Sequence, residues 1–121
     1  MRKLLYYISL LILKNRCSPI SNSNISSNTQ LVVICSGNGC PFELYHRGHK
    51  WINYYLNINN THILLWNYRG YGKSTGSATV KNIKYDAQIV IDFIISKYKY
   101  SQILLHGISI GGVAVCSIQS E

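Results

Sequence analysis

Apolar and polar residues fall along this chain in blocks rather than in strict alternation. Leu31-Val32-Val33-Ile34-Cys35 is an unbroken apolar run, rich in β-branched residues, that stops at the turn cluster Ser36-Gly37-Asn38-Gly39. It predicts a strand buried on both faces. Thr61–Trp66 (THILLW) predicts a second such strand, and Gln102–Leu105, running into Gly107, a third. Between the first two, Phe42 to about Ile58 is aromatic-rich (Trp51, Ile52, Tyr54, Tyr55, Leu56) and reads as a helix with a weak charged face. Val80 to Tyr98 sets Ile83, Ala87, Val90, Ile91, Ile94, Ile95 and Tyr98 close to helical spacing. A further helix is expected to start near Ile110. Strands and helices in turn, with strands that do not alternate, predict an α/β fold: a mostly parallel central sheet with helices on both faces. Chemistry in such sheets gathers at the carboxyl ends of the strands. The loops there are Ser36–Cys40, Asn67–Ser77 and His106–Gly112.

The first thirty residues have a different pattern. Met1-Arg2-Lys3 and then Leu4–Leu13 (LLYYISLLIL) form the basic start and short apolar core of a signal peptide, but Lys14-Asn15-Arg16 comes next with no small-residue cleavage site. The core is shorter than the ~20 residues of a membrane-spanning helix. Three readings stay open: a signal peptide or interfacial anchor, a buried strand, and a piece of an interrupted gene. Asn15 to Gln30 is rich in Ser and Asn and contains Pro19, so it reads as a linker or long loop. The expected organisation is 1–30 as a signal-like segment with linker and 31–121 as the folded unit.

Composition narrows the function. With 47% apolar and 13% charged residues, the chain has ample material for a core, which excludes a disordered or fibrous protein. The net charge of +8 comes from scattered cations (Arg2, Lys3, Lys14, Arg16, Lys81, Lys84, Lys97, Lys99) and a shortage of acids. No basic run and no RNA-reading motif accompanies them, so specific nucleic-acid binding is not expected. The acids are Glu43, Asp86, Asp92 and Glu121, and the histidines His46, His49, His62 and His106. Cys17, Cys35, Cys40 and Cys116 form no C-x-x-C pair and have no histidine at zinc spacing, so no metal, cofactor or disulfide framework is expected. Cys35 and Cys116, in apolar segments, read as small buried residues.

Gly107-Ile108-Ser109-Ile110-Gly111 is a G-x-S-x-G motif between an expected strand and an expected helix. A nucleophile on so tight a turn adopts a strained backbone, and only small flanking residues avoid clashing with it. Gly107 and Gly111 supply that room, and Gly112 is expected to let the helix pack closely on the sheet. Ser109 would be lifted into the open, above a helix N-terminus that favours negative charge. The backbone N–H of Ile110 would face a substrate oxyanion, and a second donor, the N–H of Asn38, is expected from the loop after the first strand. The plainer alternative is a glycine-rich strand end beside a simple turn.

Asn67-Tyr68-Arg69-Gly70-Tyr71-Gly72-Lys73-Ser74 comes close to the phosphate-binding pattern G-x-x-x-x-G-K-[ST] but has Asn67 at the first glycine. Its Lys-Ser also fails to open a helix, because Thr75-Gly76-Ser77 continues the loop. Nucleotide binding is therefore set aside.

Four ordered pieces together resemble the α/β-hydrolase superfamily, in particular the small, often membrane-associated serine hydrolases that include protein depalmitoylases. They are Leu31–Gly39, Asn67–Ser74 with Gly76, the helix carrying Asp86, and His106–Gly112, and they cover essentially all of 31–121. The resemblance implies Ser109 as nucleophile and the N–H groups of Ile110 and Asn38 as the oxyanion hole. It also implies a structural turn at Arg69, Gly70 and Gly72, with Asp86 as a candidate partner for Arg69. The implied activity is hydrolysis of ester or thioester bonds in a small-molecule or acyl-protein substrate, through an acyl-enzyme and without cofactor. Compartment and oligomeric state are left open, a cytoplasmic or membrane-associated place and peripheral membrane contact among the options.

The sequence departs from the family pattern in two loops and in the stretch after the nucleophile. Ser36-Gly37 stands where the family usually has His-Gly, and Ile108 where a polar residue is common. The family order is Ser, then Asp or Glu, then His. Twelve residues come after Ser109, with no histidine and only Glu121 as an acid. On a continuing helix Glu121 would lie ~16 Å or more from the turn. His106 reads as a structural histidine, and His46, His49 and His62 precede the nucleophile. A serine without a base is a poor nucleophile. The expectation is an incomplete α/β-hydrolase fold truncated just after the nucleophile turn, inactive as it stands and left with an unpaired strand edge. The alternative is a non-catalytic pseudo-hydrolase fragment resting on a membrane.

Overall fold

The three apolar runs become the centre of a sheet because each can bury side chains on both sides only between other strands and under helices. The computed structural model describes residues 10–15, 18–19, 25, 27–37, 50–70 and 76–118. Its strands are β1 (Leu10–Asn15), β2 (Ser18–Pro19), β3 (Gln30–Cys35), β4 (Thr61–Trp66) and β5 (Gln102–Gly107). Its helices are α1 (Lys50–Leu56), α2 (Val80–Lys97) and α3 (Gly111–Ser117). The five strands lie in the order β2-β1-β4-β3-β5. β3 pairs in parallel with β4 and β5, while β1 runs antiparallel to β4 and β2. The α/β class and the parallel centre are as the sequence leads one to expect.

The start of the chain differs from the expected division at residue 30. Leu10 to Leu13 pair with Trp66 to Ile63, so the sheet takes in residues assigned to the signal-like segment. Ser18–Pro19, inside the expected linker, folds back on β1. An apolar stretch with good strand propensity gains backbone partners along the side of β4 that β3 leaves open. Pro19 fits because it stands in an outer strand. The basic start at residues 1–9 and the first part of the expected helix, 42–49, lie outside the described residues.

Alternate residues of the central strands feed two cores, as the period of two requires. Leu31, Val33 and Cys35 of β3 join Leu64 and Trp66 of β4 under α2 and α3, with Ile83, Ala87, Val90, Ile91, Ile94 and Ala114. Val32 and Ile34, with Ile63 and Leu65, pack against Ile52 of α1. The 18 residues of α2 are capped by Thr79, whose side chain accepts from the Asn82 N–H (3.1 Å), and finish with Lys97 in the last turn. At the amino ends of the strands a polar ladder crosses the sheet. Gln102 Nε2 donates to Gln30 Oε1 (3.0 Å), and Gln30 Nε2 donates to Thr61 Oγ1 (2.8 Å).

The loop after β4 is tied to α2 by a two-pronged ion pair. Arg69 Nε and Nη2 donate to the two oxygens of Asp86, each at 2.7 Å, and the Asp86 side chain is only 1% exposed. These hydrogen bonds raise the pKa of the Arg69 guanidinium above its ordinary value. Taking away one member of a buried pair strands the other charge. Arg69→Met should therefore lose about 3–5 kcal/mol in urea denaturation, and the double variant Arg69→Met/Asp86→Leu should recover much of it. A single variant within about 1 kcal/mol of the parent, the range of an exposed pair, would show that the pair does not hold this loop.

Candidate active site

Ser109 stands at the crossing from β5 to α3, with φ of 54° and an exposed side chain. Left-handed backbone is unfavourable for a non-glycine residue outside special turns, so the neighbouring packing must hold it there. That packing is unusually close. A Cβ on Gly111 would lie 2.0 Å from the Cys35 carbonyl oxygen, and one on Gly107 would lie 2.7 Å from the Gly111 oxygen and the Gly112 nitrogen. Glycine at 107 and 111 is thus required by contact between backbones. The turn closes with Gly111 N–H to Ile108 O and Gly112 N–H to Ser109 O, both 2.9 Å, and the Ile108 N–H extends the ladder to Cys35 O (3.0 Å). Gly112 is a correction: a Cβ there meets nothing within 4 Å, so it is Gly111 that brings α3 onto the sheet.

The loop after β3 reaches the same spot. A Cβ on Gly37 would lie 3.7 Å from the Ser109 Cβ and 3.6 Å from the Ile108 carbonyl oxygen. Ile110 comes next after the serine in right-handed backbone (φ −58°, ψ −22°), and among the described residues its N–H has no acceptor. Asn38, the other expected donor, lies outside the described residues, as does Gly72. Gly70 (φ 86°) and Gly76 (φ 92°) bracket residues 71–75 and touch each other: a Cβ on Gly70 would meet the Gly76 oxygen at 2.7 Å. Lys73 and Ser74 fall in that interval. The next helix opens at Val80 and is capped by Thr79.

The described histidines, His62 and His106, are bonded to tyrosines. Among the described residues no histidine hydrogen-bonds to Ser109. His106 Nδ1 and the Tyr55 hydroxyl are hydrogen-bonded at 2.6 Å, and the imidazole lies against Trp51 (4.7 Å between centroids). Desolvation, and then the neighbouring Tyr54, raise the pKa of Tyr55, which keeps its hydroxyl protonated. His62 is buried near the start of β4, paired in register with Leu31 and bonded to the Tyr100 hydroxyl at 3.0 Å. Four residues of strand, ~13 Å, separate that level from Cys35 beside the turn. His46, His49, Glu43 and Glu121 lie outside the described residues. No group of three or more metal-ligating side chains occurs among the described residues.

Two further features were not legible in the sequence. The buried Tyr68 hydroxyl donates to the Ser36 carbonyl at 2.7 Å, joining the loop after β4 to the loop beside Ser109. The cysteines also divide: Cys35 is buried as expected, but Cys116 is exposed, because it falls on the solvent side of the short α3. Burial pushes the Cys35 thiol up to about 11, with the Trp66 indole pulling slightly the other way.

Residues 26–121 match the family model described as serine aminopeptidase, S33. The chain belongs to this family of the α/β-hydrolase superfamily. It is 31% identical over 64 residues to protein bem46 of Schizosaccharomyces pombe, a stretch covering 51% of this chain and 21% of that protein. It is 30% identical over 104 residues to the uncharacterized membrane protein YNL320W of Saccharomyces cerevisiae, covering 84% of this chain and 34% of that one. The chain thus spans about a third or less of the length of these relatives. No solved structure matches it significantly.

The glycines and cysteines each give a direct check. Gly111→Ala should destabilise the fold by about 3 kcal/mol or more, since a backbone carbonyl must move. Gly112→Ala should be neutral or up to about 1 kcal/mol stabilising, as a helical Gly→Ala exchange in open space is. Equal losses in thermal melts of the two variants would contradict the packing described for α3. Iodoacetamide at pH 8 should modify Cys116 rapidly in the folded chain and leave Cys35 nearly untouched, since Cys116 is exposed while Cys35 is buried and its thiol is held protonated by that burial. Peptide-resolved mass spectrometry showing equal modification would refute it. Because the folded-state value is raised, the neutral thiol favours the fold fully below about pH 9 and that contribution is lost toward about pH 11.

Proposed function

We propose that this chain carries the nucleophile and oxyanion hole of a serine hydrolase acting on ester or thioester bonds. The observation that carries the reading is Ser109 itself: a non-glycine residue held at φ 54° between a parallel strand and a helix, with its side chain exposed. The Ser109 hydroxyl attacks the acyl carbon and its proton passes to a base. The N–H groups of Ile110 and Asn38 take the oxyanion. The alcohol or thiol leaves with a proton, and water then cleaves the acyl-enzyme. The chain covers 21% and 34% of the two relatives, and the acid and base are assigned outside its described residues. The substrate is a small acyl ester or an acylated protein, and no cofactor enters.

A second reading, a non-catalytic member of the family, is favoured by the engagement of His62 and His106 with tyrosine hydroxyls. A fluorophosphonate probe separates the two. The whole protein should label stoichiometrically, Ser109→Ala should abolish labelling, and residues 1–121 alone should label at least about a hundredfold more slowly, as a serine deprived of its base does. Whole protein that stays unlabelled would favour the non-catalytic reading, and labelling that survives Ser109→Ala would remove Ser109 as nucleophile. Turnover of p-nitrophenyl esters and acyl thioesters against aminoacyl p-nitroanilides distinguishes ester from peptide chemistry.

A further inference from the structure

We infer that Tyr68 is a positioning residue for the oxyanion loop, an assignment that rests on the serine-hydrolase reading above. Its ring is 1% exposed and meets the Trp66 ring edge-on, 5.0 Å between centroids. Its neighbour Arg69 is clamped by Asp86 on α2, so the backbone on that side of Tyr68 is anchored. From that fixed place the hydroxyl donates 2.7 Å to the carbonyl of Ser36. The bond is buried, where a hydrogen bond is strong and an unpaired carbonyl costly.

The acceptor's location gives the bond its consequence. The Ser36 oxygen also lies 3.0 Å from where a Gly111 Cβ would be, so this carbonyl sits between Tyr68 and the start of α3. The next residue, Gly37, is the one that comes against Ser109. In a trans peptide the C=O and N–H point in opposite directions, so fixing the Ser36 oxygen fixes the Gly37 N–H as well. Tyr68 thereby fixes the orientation of the peptide that leads into Gly37. Without the hydroxyl the peptide loses this buried anchor, and a shift of its dipole beside Ser109 would act on the charge that develops there. Ground-state binding feels little of this, because the substrate carbonyl carries no full charge, and the loss falls on the transition state.

Tyr68→Phe in the whole protein removes the hydroxyl and keeps the ring. With active sites counted by fluorophosphonate titration, kcat for a p-nitrophenyl ester should fall by about tenfold to a hundredfold while KM stays within about twofold. Should that variant fail to fold, difluorotyrosine at position 68 keeps both ring and bond. Its hydroxyl ionises at lower pH and a phenolate cannot donate, so its kcat should fall at an alkaline pH where the parent is still active. If Ser109→Ala is inactive but Tyr68→Phe keeps the parental kcat, or the fluorinated protein keeps the parental pH profile, Tyr68 has no such role and the hydrolase reading stands. Parent protein that neither labels nor turns over ester overturns both.

Discussion

At the carboxyl end of the sheet a helix backbone rests directly on a strand carbonyl, and the rest of the site is a consequence of that contact. Gly111 approaches the Cys35 oxygen too closely for any side chain. β5 ends at Gly107, so the chain must reverse within three residues to bring position 111 back onto β3. Ser109 absorbs the reversal in its backbone, which is why its φ is positive. The same compression sets Gly37 against the serine, since Gly37 continues the strand that α3 presses on. Strained backbone, exposed hydroxyl and adjoining loop are three results of one steric condition.

Polar tethers then fix what packing leaves free. Loops after parallel strands cannot draw on the sheet for hydrogen bonds, so side chains supply them. Asp86 reaches Arg69 from α2, Tyr68 reaches Ser36, and on the opposite face Tyr55 of α1 meets His106 just before the turn. Each joins elements far apart in sequence. The site's neighbourhood is therefore held by contacts between elements, and little of it depends on the propensity of any one loop. The family membership and the fold agree with this picture.

The parallel centre was legible because Leu31–Cys35 and Thr61–Trp66 are apolar throughout, a pattern that only strands covered on both faces can bury. The tight turn from β5 to α3 was legible because Gly107 and Gly111 bracket Ser109 at the spacing the steric argument demands. What escaped was what depends on three-dimensional neighbours. Leu10–Asn15 has the same composition as an anchor's apolar core, and only its pairing with β4 distinguishes a strand from the alternatives. Gly112 is adjacent to Gly111, yet one helical step turns it from the strand carbonyl into open space. Tyr68 is one tyrosine among ten, with nothing local to mark its hydroxyl as bonded to residue 36.

The glutamine ladder at the opposite end of the strands bears on the accuracy of this site. A strand that is apolar on both faces can slide past its neighbours without exposing a polar side chain, so hydrophobic burial alone specifies its alignment weakly. Gln30, hydrogen-bonded to Gln102 on one side and Thr61 on the other, can satisfy both neighbours only in one alignment. A slip of one residue would shift Cys35 by ~3.3 Å relative to Gly107, enough to separate Gly37 from Ser109. Three uncharged side chains at the foot of the sheet thus act as a vernier for the turn at its top.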